Sequence, residues 1–343
     1  MERGTYTQHE ILTQTEAWSD ALNVVEKNQD GLTKLLAADY QQILFTGCGS
    51  TYYLSQAAAA LFQEMTGRLA RAVPAGELVF NPAVTLSTGK TLLVAVSRSG
   101  STSETVKAVE QFKAQNLGPV LAITNYADQP LAGLADLALV IEKGQEMSVA
   151  QTRSFASMYV AATAVSLLAA GREDLRQLMR KLPEAGDRLM AHSAALAREI
   201  GENLELDRFY FLGSGSRYGL ANEISLKMKE MTLSHSEPFH FLEFRHGPMS
   251  MANSSALVVG LLSDANRAQE QKVLSEMEAL GARTFSLADT GALVNFESGL
   301  PDCVRAVLFL PTLQLMGYYR SMAKNLNPDQ PENLTAVVNL NLA

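Results

Sequence analysis

One arrangement occurs twice in this chain. An apolar run enters a glycine loop rich in hydroxyls at Phe45-Thr46-Gly47-Cys48-Gly49-Ser50-Thr51 and again at Phe211-Leu212-Gly213-Ser214-Gly215-Ser216-Arg217. A second strand-to-loop junction follows each copy, reaching Ser97 in one and Ser263 in the other, and the interval from Ser97 to Ser263 equals that from Gly47 to Gly213. One spacing shared by two junctions predicts a duplicated domain. The copies are unequally equipped. Ser97-Arg98-Ser99-Gly100-Ser101-Thr102 offers four hydroxyls and a glycine, whereas Leu261-Leu262-Ser263-Asp264 offers one hydroxyl and a carboxylate. The first copy alone reads as built to hold an anion.

The 343 residues suffice for two domains of ordinary size, each burying its own core. Strands expected at 42–46, 91–97, 120–124 and 138–142 alternate with helices at 54–66, 104–114, 129–137 and 152–170, a pattern that predicts parallel sheets covered by helices. The second half repeats the order, with strands at 208–212, 256–262 and 284–287 and helices at 220–233 and 313–324. Residues 1–35 read as a helical lead-in. The expected domains are 36–178, carrying the phosphate-binding loop, and 179–343.

Composition narrows the partners. Lys and Arg total 28 against 36 Asp and Glu, and no basic cluster stands ready to neutralise a nucleic-acid backbone. The longest apolar stretch, 159–170, is too short to span a bilayer, and the opening residues lack the apolar core of a signal peptide. Two distant cysteines, Cys48 and Cys303, argue against a disulfide framework and fit a reducing cytoplasm. Neither nucleic acid nor membrane is expected as a partner.

A hydroxyl-rich loop between a strand end and a helix start lies at the carboxyl edge of a parallel sheet, where free N–H groups and the helix dipole favour an anion. Gly100 permits close backbone approach. Serine-rich segments are also ordinary turn formers, but the neighbouring loop Gly49-Ser50-Thr51 favours a phosphate. Neither glycine loop completes G-x-G-x-x-G, and no G-x-x-x-x-G-K-[ST] occurs, so a dinucleotide or ATP is disfavoured and no cofactor is expected. A small phosphorylated ligand remains.

The other chemistry-bearing region is 218–248. Glu223, Lys227 and Glu230 fall at i, i+4 and i+7 of an expected helix, placing acid, base and acid on one face. Such a face is equally a solvated ladder of ion pairs. Beyond it stand His235, His240 and His246, three of only five histidines, at spacings that match no common zinc pattern, so no metal is expected. An acid and a histidine serving one phosphate-anchored sugar are what proton shuttling between C1 and C2 of an open-chain substrate requires, with Lys227 stabilising the developing oxyanion.

These segments, together with Val149-Ala150-Gln151-Thr152-Arg153, Lys227-Met228-Lys229-Glu230, Glu243-Phe244-Arg245-His246-Gly247-Pro248 and the tail Asn327-Pro328-Asp329-Gln330-Pro331-Glu332-Asn333-Leu334, resemble the SIS (sugar isomerase) family. The likeness covers nearly the whole chain and is nearest to the isomerase half of glucosamine-6-phosphate synthase and its stand-alone relatives. It implies an α/β fold of two tandem, doubly wound parallel-sheet SIS domains, three-layer sandwiches of flavodoxin or Rossmann type. It further implies that Ser97, Arg98, Ser99 and Thr102 hold a sugar phosphate, with Ser50, Thr51, Glu146 and Gln151 nearby. On the same basis Glu230 moves the proton between C1 and C2, Lys227 lies beside the substrate oxygen, and His246 assists ring opening, often from a neighbouring subunit. A homodimer is the implied minimum unit.

One departure is informative. The synthase carries a Schiff-base lysine in its tail where this chain has Ala336, and Lys324, the nearest alternative, belongs to the preceding helix. With a start at Met1-Glu2 and no N-terminal cysteine, a glutamine-hydrolysing domain is not expected. The resemblance then implies a phosphosugar isomerase or amino-sugar phosphate deaminase working through an enediol or enamine. A fructosamine-6-phosphate deglycase is the alternative enzyme, and a non-catalytic sugar-phosphate sensor the alternative of another class.

Overall fold

Strand β1 (Gln42–Gly47) is buried at every position, as its run of Ile43, Leu44 and Phe45 requires. In the computed structural model, which describes residues 2–87, 89–337 and 340, it pairs in parallel with β2 (Ala70–Pro74) on one side and β3 (Thr91–Ser97) on the other. The sheet continues through β4 (Val120–Thr124) to β5 (Leu137–Val140), in the order β2-β1-β3-β4-β5. The second sheet is built from β6 (Arg208–Leu212), β7 (His235–Phe239), β8 (Ala256–Leu261), β9 (Arg283–Ala288) and β10 (Val294–Asn295), all parallel. Its order is β7-β6-β8-β9-β10, so the five strands of each sheet follow the same 2-1-3-4-5 path. Repeated topology at a repeated spacing bears out the tandem α/β architecture.

The local geometry repeats as well. Gly49 has φ +54° and ψ −123°, and Gly215, its counterpart in the second copy, has φ +60° and ψ −136°, a conformation closed to residues with a Cβ. A Cβ on Gly47 would lie 2.7 Å from the backbone carbon of Thr51, and one on Gly213 would lie 2.4 Å from the backbone oxygen of Arg217. In each copy the missing side chain lets the strand end abut the first turn of the next helix.

The strands β2, β7 and β10 lie outside the sequence expectation. β2 and β7 are edges containing Arg71, Pro74, His235 and Pro238, and proline is tolerated there because an edge strand need not donate on its open side. The helix expected over 129–137 shrinks to Pro130–Leu134, and a helix absent from the expectation runs over Arg267–Ala279.

Contacts group the chain into two compact units. One comprises Thr13–Glu146, Arg153–Arg180 and the tail from Thr335; the other comprises the chain up to Leu12, Met147–Thr152 and Lys181–Leu334. In the first unit Leu44, Leu93, Ala95 and Ala122 pack against Val109 and Phe112 of the helix Ser103–Ala114. The helices Gln14–Lys27 and Arg153–Ala169 pack together, and Trp18 is fully buried there, its indole N–H without a hydrogen-bond partner among the described residues. In the second unit Tyr210, Leu212 and Val258 meet Leu274 and Met277, while the helices Leu182–Glu202 and Leu310–Ala323 lie against each other. Among the described residues, no helix is long and apolar enough to cross a membrane.

Candidate active site

In a 2-1-3-4-5 sheet the crossovers from the first and third strands leave in opposite directions, opening a crevice at their carboxyl ends. In the first unit this switch point falls between β1 and β3, where the loop Gly47–Thr51 and the turn Ser97–Thr102 come side by side. The turn is organised by its own hydroxyls. Ser97 Oγ accepts the Gly100 N–H at 3.1 Å and lies 3.3 Å from Thr102 Oγ1, while Ser99 Oγ accepts the Ser101 N–H at 3.2 Å. Gly100, at φ +66°, packs so closely on Gln129 that a Cβ would approach its Cβ to 2.9 Å. Among the described residues, the Thr102 side chain makes no capping hydrogen bond to the helix Ser103–Ala114.

Arg98 lies beside this turn in the same unit, 7% exposed. Its guanidinium stands 3.6 Å from the wholly buried carboxylate of Glu146 and donates to the Ala336 carbonyl at 2.9 Å. Glu146 also accepts the Ser154 N–H at 3.1 Å and the Ser154 hydroxyl. A buried arginine held by a carboxylate and a carbonyl keeps a fixed direction, which suits a planar donor fork meeting an oxyanion.

Ser50 and Thr51 open the neighbouring helix Ser50–Thr66 and are both buried. The Thr51 hydroxyl closes its own loop, accepting the Cys48 N–H and donating to the Cys48 carbonyl, each at 2.9 Å. Cys48 is no candidate nucleophile. Burial, the largest influence, pushes its thiol up to about 11, against the lowering contact with Thr105.

The unit carrying the second copy holds Gln151, Lys227, Glu230 and His246. The helix Ser216–Thr232 turns the face bearing Glu223, Lys227 and Glu230 inward, so the solvated ladder is not what forms. The Lys227 ammonium is 3.4 Å from Glu223 and bonded to Glu230. Side-chain exposures of 1%, 2% and 19% for Glu223, Lys227 and Glu230 make Glu230 the one member of the triad that reaches solvent. A partly exposed carboxylate held by a buried ammonium is able to exchange a proton with a ligand that reaches it. Breaking a buried pair of this kind by removing one partner costs about 3–5 kcal/mol.

His246 ends a short 3-10 turn, Glu243–Arg245, and is exposed. His240 stacks on Tyr218 with ring centroids 3.9 Å apart, and burial lowers its pKa below the usual histidine value. Lys324 donates to the carbonyls of Thr232 at 2.6 Å and Leu233 at 3.3 Å, capping the end of the helix that bears the triad. Burial, and then the charge of Arg320, hold that ammonium below the ordinary lysine range. It has a structural task where it stands.

Two features are absent from the sequence expectation: the inward turn of Glu223, and a second ionic cluster around Glu270. Laying the repeat so that Gly47 meets Gly213 sets Glu270 opposite Glu104 and Asn266 opposite Gly100, which marks Glu270 for comparison but not the remote Asp302 and Arg305. Among the described residues, no group of His, Cys, Asp and Glu is arranged to hold a metal.

The SIS domain model matches residues 36–168 and 205–292, and the chain belongs to the SIS domain family. Among curated relatives, the glutamine–fructose-6-phosphate aminotransferase (isomerizing) of Thermococcus kodakarensis is 27% identical over 96% of this chain but 57% of its own length. The Haemophilus influenzae aminotransferase is 26% identical over 98% of this chain and 58% of its own length, so the chain spans little more than half of such relatives. Of solved structures, glucosamine-6-phosphate deaminase from Thermotoga maritima matches with a TM-score of 0.82 and 28% identity, covering 97% of this chain and 99% of that one. Tagatose-6-phosphate ketose/aldose isomerase from Escherichia coli matches with a TM-score of 0.85 and 25% identity, covering 96% of both chains.

Proposed function

We propose that this protein moves a proton between C1 and C2 of a ring-opened sugar 6-phosphate, as a phosphosugar isomerase or amino-sugar phosphate deaminase. The observation that carries the reading is the Glu223–Lys227–Glu230 triad, with its single solvent-reaching carboxylate. In this reading Ser97, Ser99, Thr102 and Arg98 take the phosphate, Glu146 fixes the direction of Arg98, and Ser50, Thr51 and Gln151 complete the binding set. His246 shifts the anomeric proton to the ring oxygen and opens the ring. Glu230 then removes the C2 proton, Lys227 balances the charge developing on the substrate oxygen, and Glu230 returns the proton to C1. With oxygen at C2 the product is a ketose. With nitrogen at C2 the enamine becomes an imine, and water releases ammonia.

The expected result for E230Q is a loss of turnover of about 10²–10⁴-fold with sugar-phosphate affinity nearly unchanged. Exchange of the C2 proton with deuterated solvent reads this step directly, and exchange persisting in E230Q at the native rate refutes the assignment. A deglycase would use the same residues and release an amine or amino acid. Ala336 and the occupied Lys324 favour it over synthesis through a lysine imine. Mass spectrometry of the products separates the two, because a deglycase must liberate a second organic fragment. Binding without turnover across hexose, hexosamine and fructosamine 6-phosphates would instead establish a sensor.

We take the active unit to be a cytoplasmic homodimer with His246 acting across the interface. The exposure of His246 within its own unit supports the shared site, and two cysteines as far apart in sequence as Cys48 and Cys303 suit a reducing compartment. Mixing inactive E230Q and H246A chains should then restore about one quarter of native activity through hybrid dimers carrying one intact site. No recovery after subunit exchange would place both residues in one chain.

A further inference from the structure

The switch point of the second sheet lies between β6 and β8, where the loop Gly213–Arg217 meets the turn at Ser263. That turn keeps the hydrogen bond of its counterpart. Ser263 Oγ accepts the Asn266 N–H at 3.0 Å, just as Ser97 Oγ accepts the Gly100 N–H at 3.1 Å between the aligned positions of the first copy. The difference lies in what the donors meet. Glu270, 3% exposed, receives both the N–H of Ser263 at 2.6 Å and its hydroxyl at 3.1 Å through one oxygen. Arg217, from the glycine loop, stands 3.9 Å from the other oxygen of Glu270 and 3.2 Å from Asp302. Asp302 in turn receives the Asp264 N–H at 3.1 Å and pairs with the buried Arg305.

A serine N–H, a serine hydroxyl and an arginine converging at a switch point are the donors an oxyanion uses. Here internal carboxylates hold them. The fit is incomplete: among the described residues, Glu270 Oε1 and the Nε atoms of Arg217 and Arg305 are buried without hydrogen-bond partners. In the first copy the aligned carboxylate, Glu104, does not take this place. Its Oε2 is buried without a hydrogen-bond partner among the described residues, and its charge acts on Cys48. We propose that the second copy retains a site for a phosphoryl-sized oxyanion, and that the Glu270 carboxylate occupies it from within. The native chain then takes one sugar phosphate, at the first copy.

The proposal rests on reading Ser97–Thr102 as the phosphate turn, so inorganic phosphate is titrated against native protein, R98A and R98A/E270A, with folding followed by circular dichroism. Native protein should bind one phosphate per chain by calorimetry, and R98A should bind at least tenfold more weakly. R98A/E270A should regain a melting-temperature rise of about 2–4 °C at phosphate ten times its dissociation constant. A folded R98A/E270A that responds no more than R98A overturns the proposal. So do two phosphates per native chain, a count that holds even if the double variant fails to fold. Native protein that ignores phosphate while R98A/E270A responds refutes the reading of the first turn and leaves this inference standing.

Discussion

Ser97 and Ser263 begin the same turn in two copies of one domain and end in opposite circumstances. Around Ser97 the donors are hydroxyls, backbone N–H groups and an arginine steadied from behind by Glu146. Around Ser263 the equivalent donors are taken by Glu270 and Asp302. Conversely, the carboxylate assigned to chemistry lies on the helix following the first strand of the second copy, a helix whose counterpart in the first copy, Ser50–Thr66, carries no buried acid–base–acid triad. The two copies share one strand order, and the proposed division of labour rests on which side chains stand at each switch point.

The sharpest way to test that division is a pair of arginine variants. R98A removes the charge-assisted contact proposed for the phosphate and should weaken sugar-phosphate binding about 10–100-fold. R217A should leave that affinity within about twofold while lowering stability by about 3 kcal/mol, because Glu270 and Asp302 lose a buried partner. Isothermal titration and urea unfolding read the two quantities separately. Equal effects on affinity would erase the distinction between the copies.

A second pair tests what the copies share. G47A and G213A each force a Cβ against the backbone four residues on, at 2.7 Å and 2.4 Å, and each should cost about 1–3 kcal/mol. Chemical denaturation of the two variants checks this, and a neutral outcome in one would mean that its strand and helix are not tightly abutted. The smallest effect concerns Cys48. Its thiol keeps its proton up to about 11 when folded but loses it near the ordinary thiol value of 9.0 when unfolded. Stability therefore declines as pH rises from about 9 to about 11, by at most about 2–3 kcal/mol, and is unaffected by this group at lower pH. In C48A that part of the decline should vanish, and iodoacetamide should label Cys48 slowly at pH 8 in the native protein.

Much of this architecture could be read without coordinates because its signals are local. Gly47 and Gly49, repeated at Gly213 and Gly215, mark strand-to-helix turns that only glycine can make, and the buried strands β1, β3, β4, β6 and β8 announce themselves as unbroken apolar runs. The edges were illegible for the opposite reason: β7 reads His-Ser-Glu-Pro-Phe and owes its pairing to β6, not to its own composition. The spacing of Glu223, Lys227 and Glu230 was evident, but their burial was not. Charged residues on one helical face ordinarily seek water, and only packing of that face decides otherwise. The ionic cluster at Glu270, Asp302 and Arg305 joins residues remote in sequence, which no short motif connects.

Trp18 is the chain's single tryptophan, and it is sealed in the unit that carries the Ser97–Thr102 turn. Its emission is thus a built-in reporter of that half alone, while circular dichroism sums over both. Melting curves followed by the two signals will coincide if the halves unfold as one cooperative block and separate if each has its own transition, without a dye, a label or an added residue.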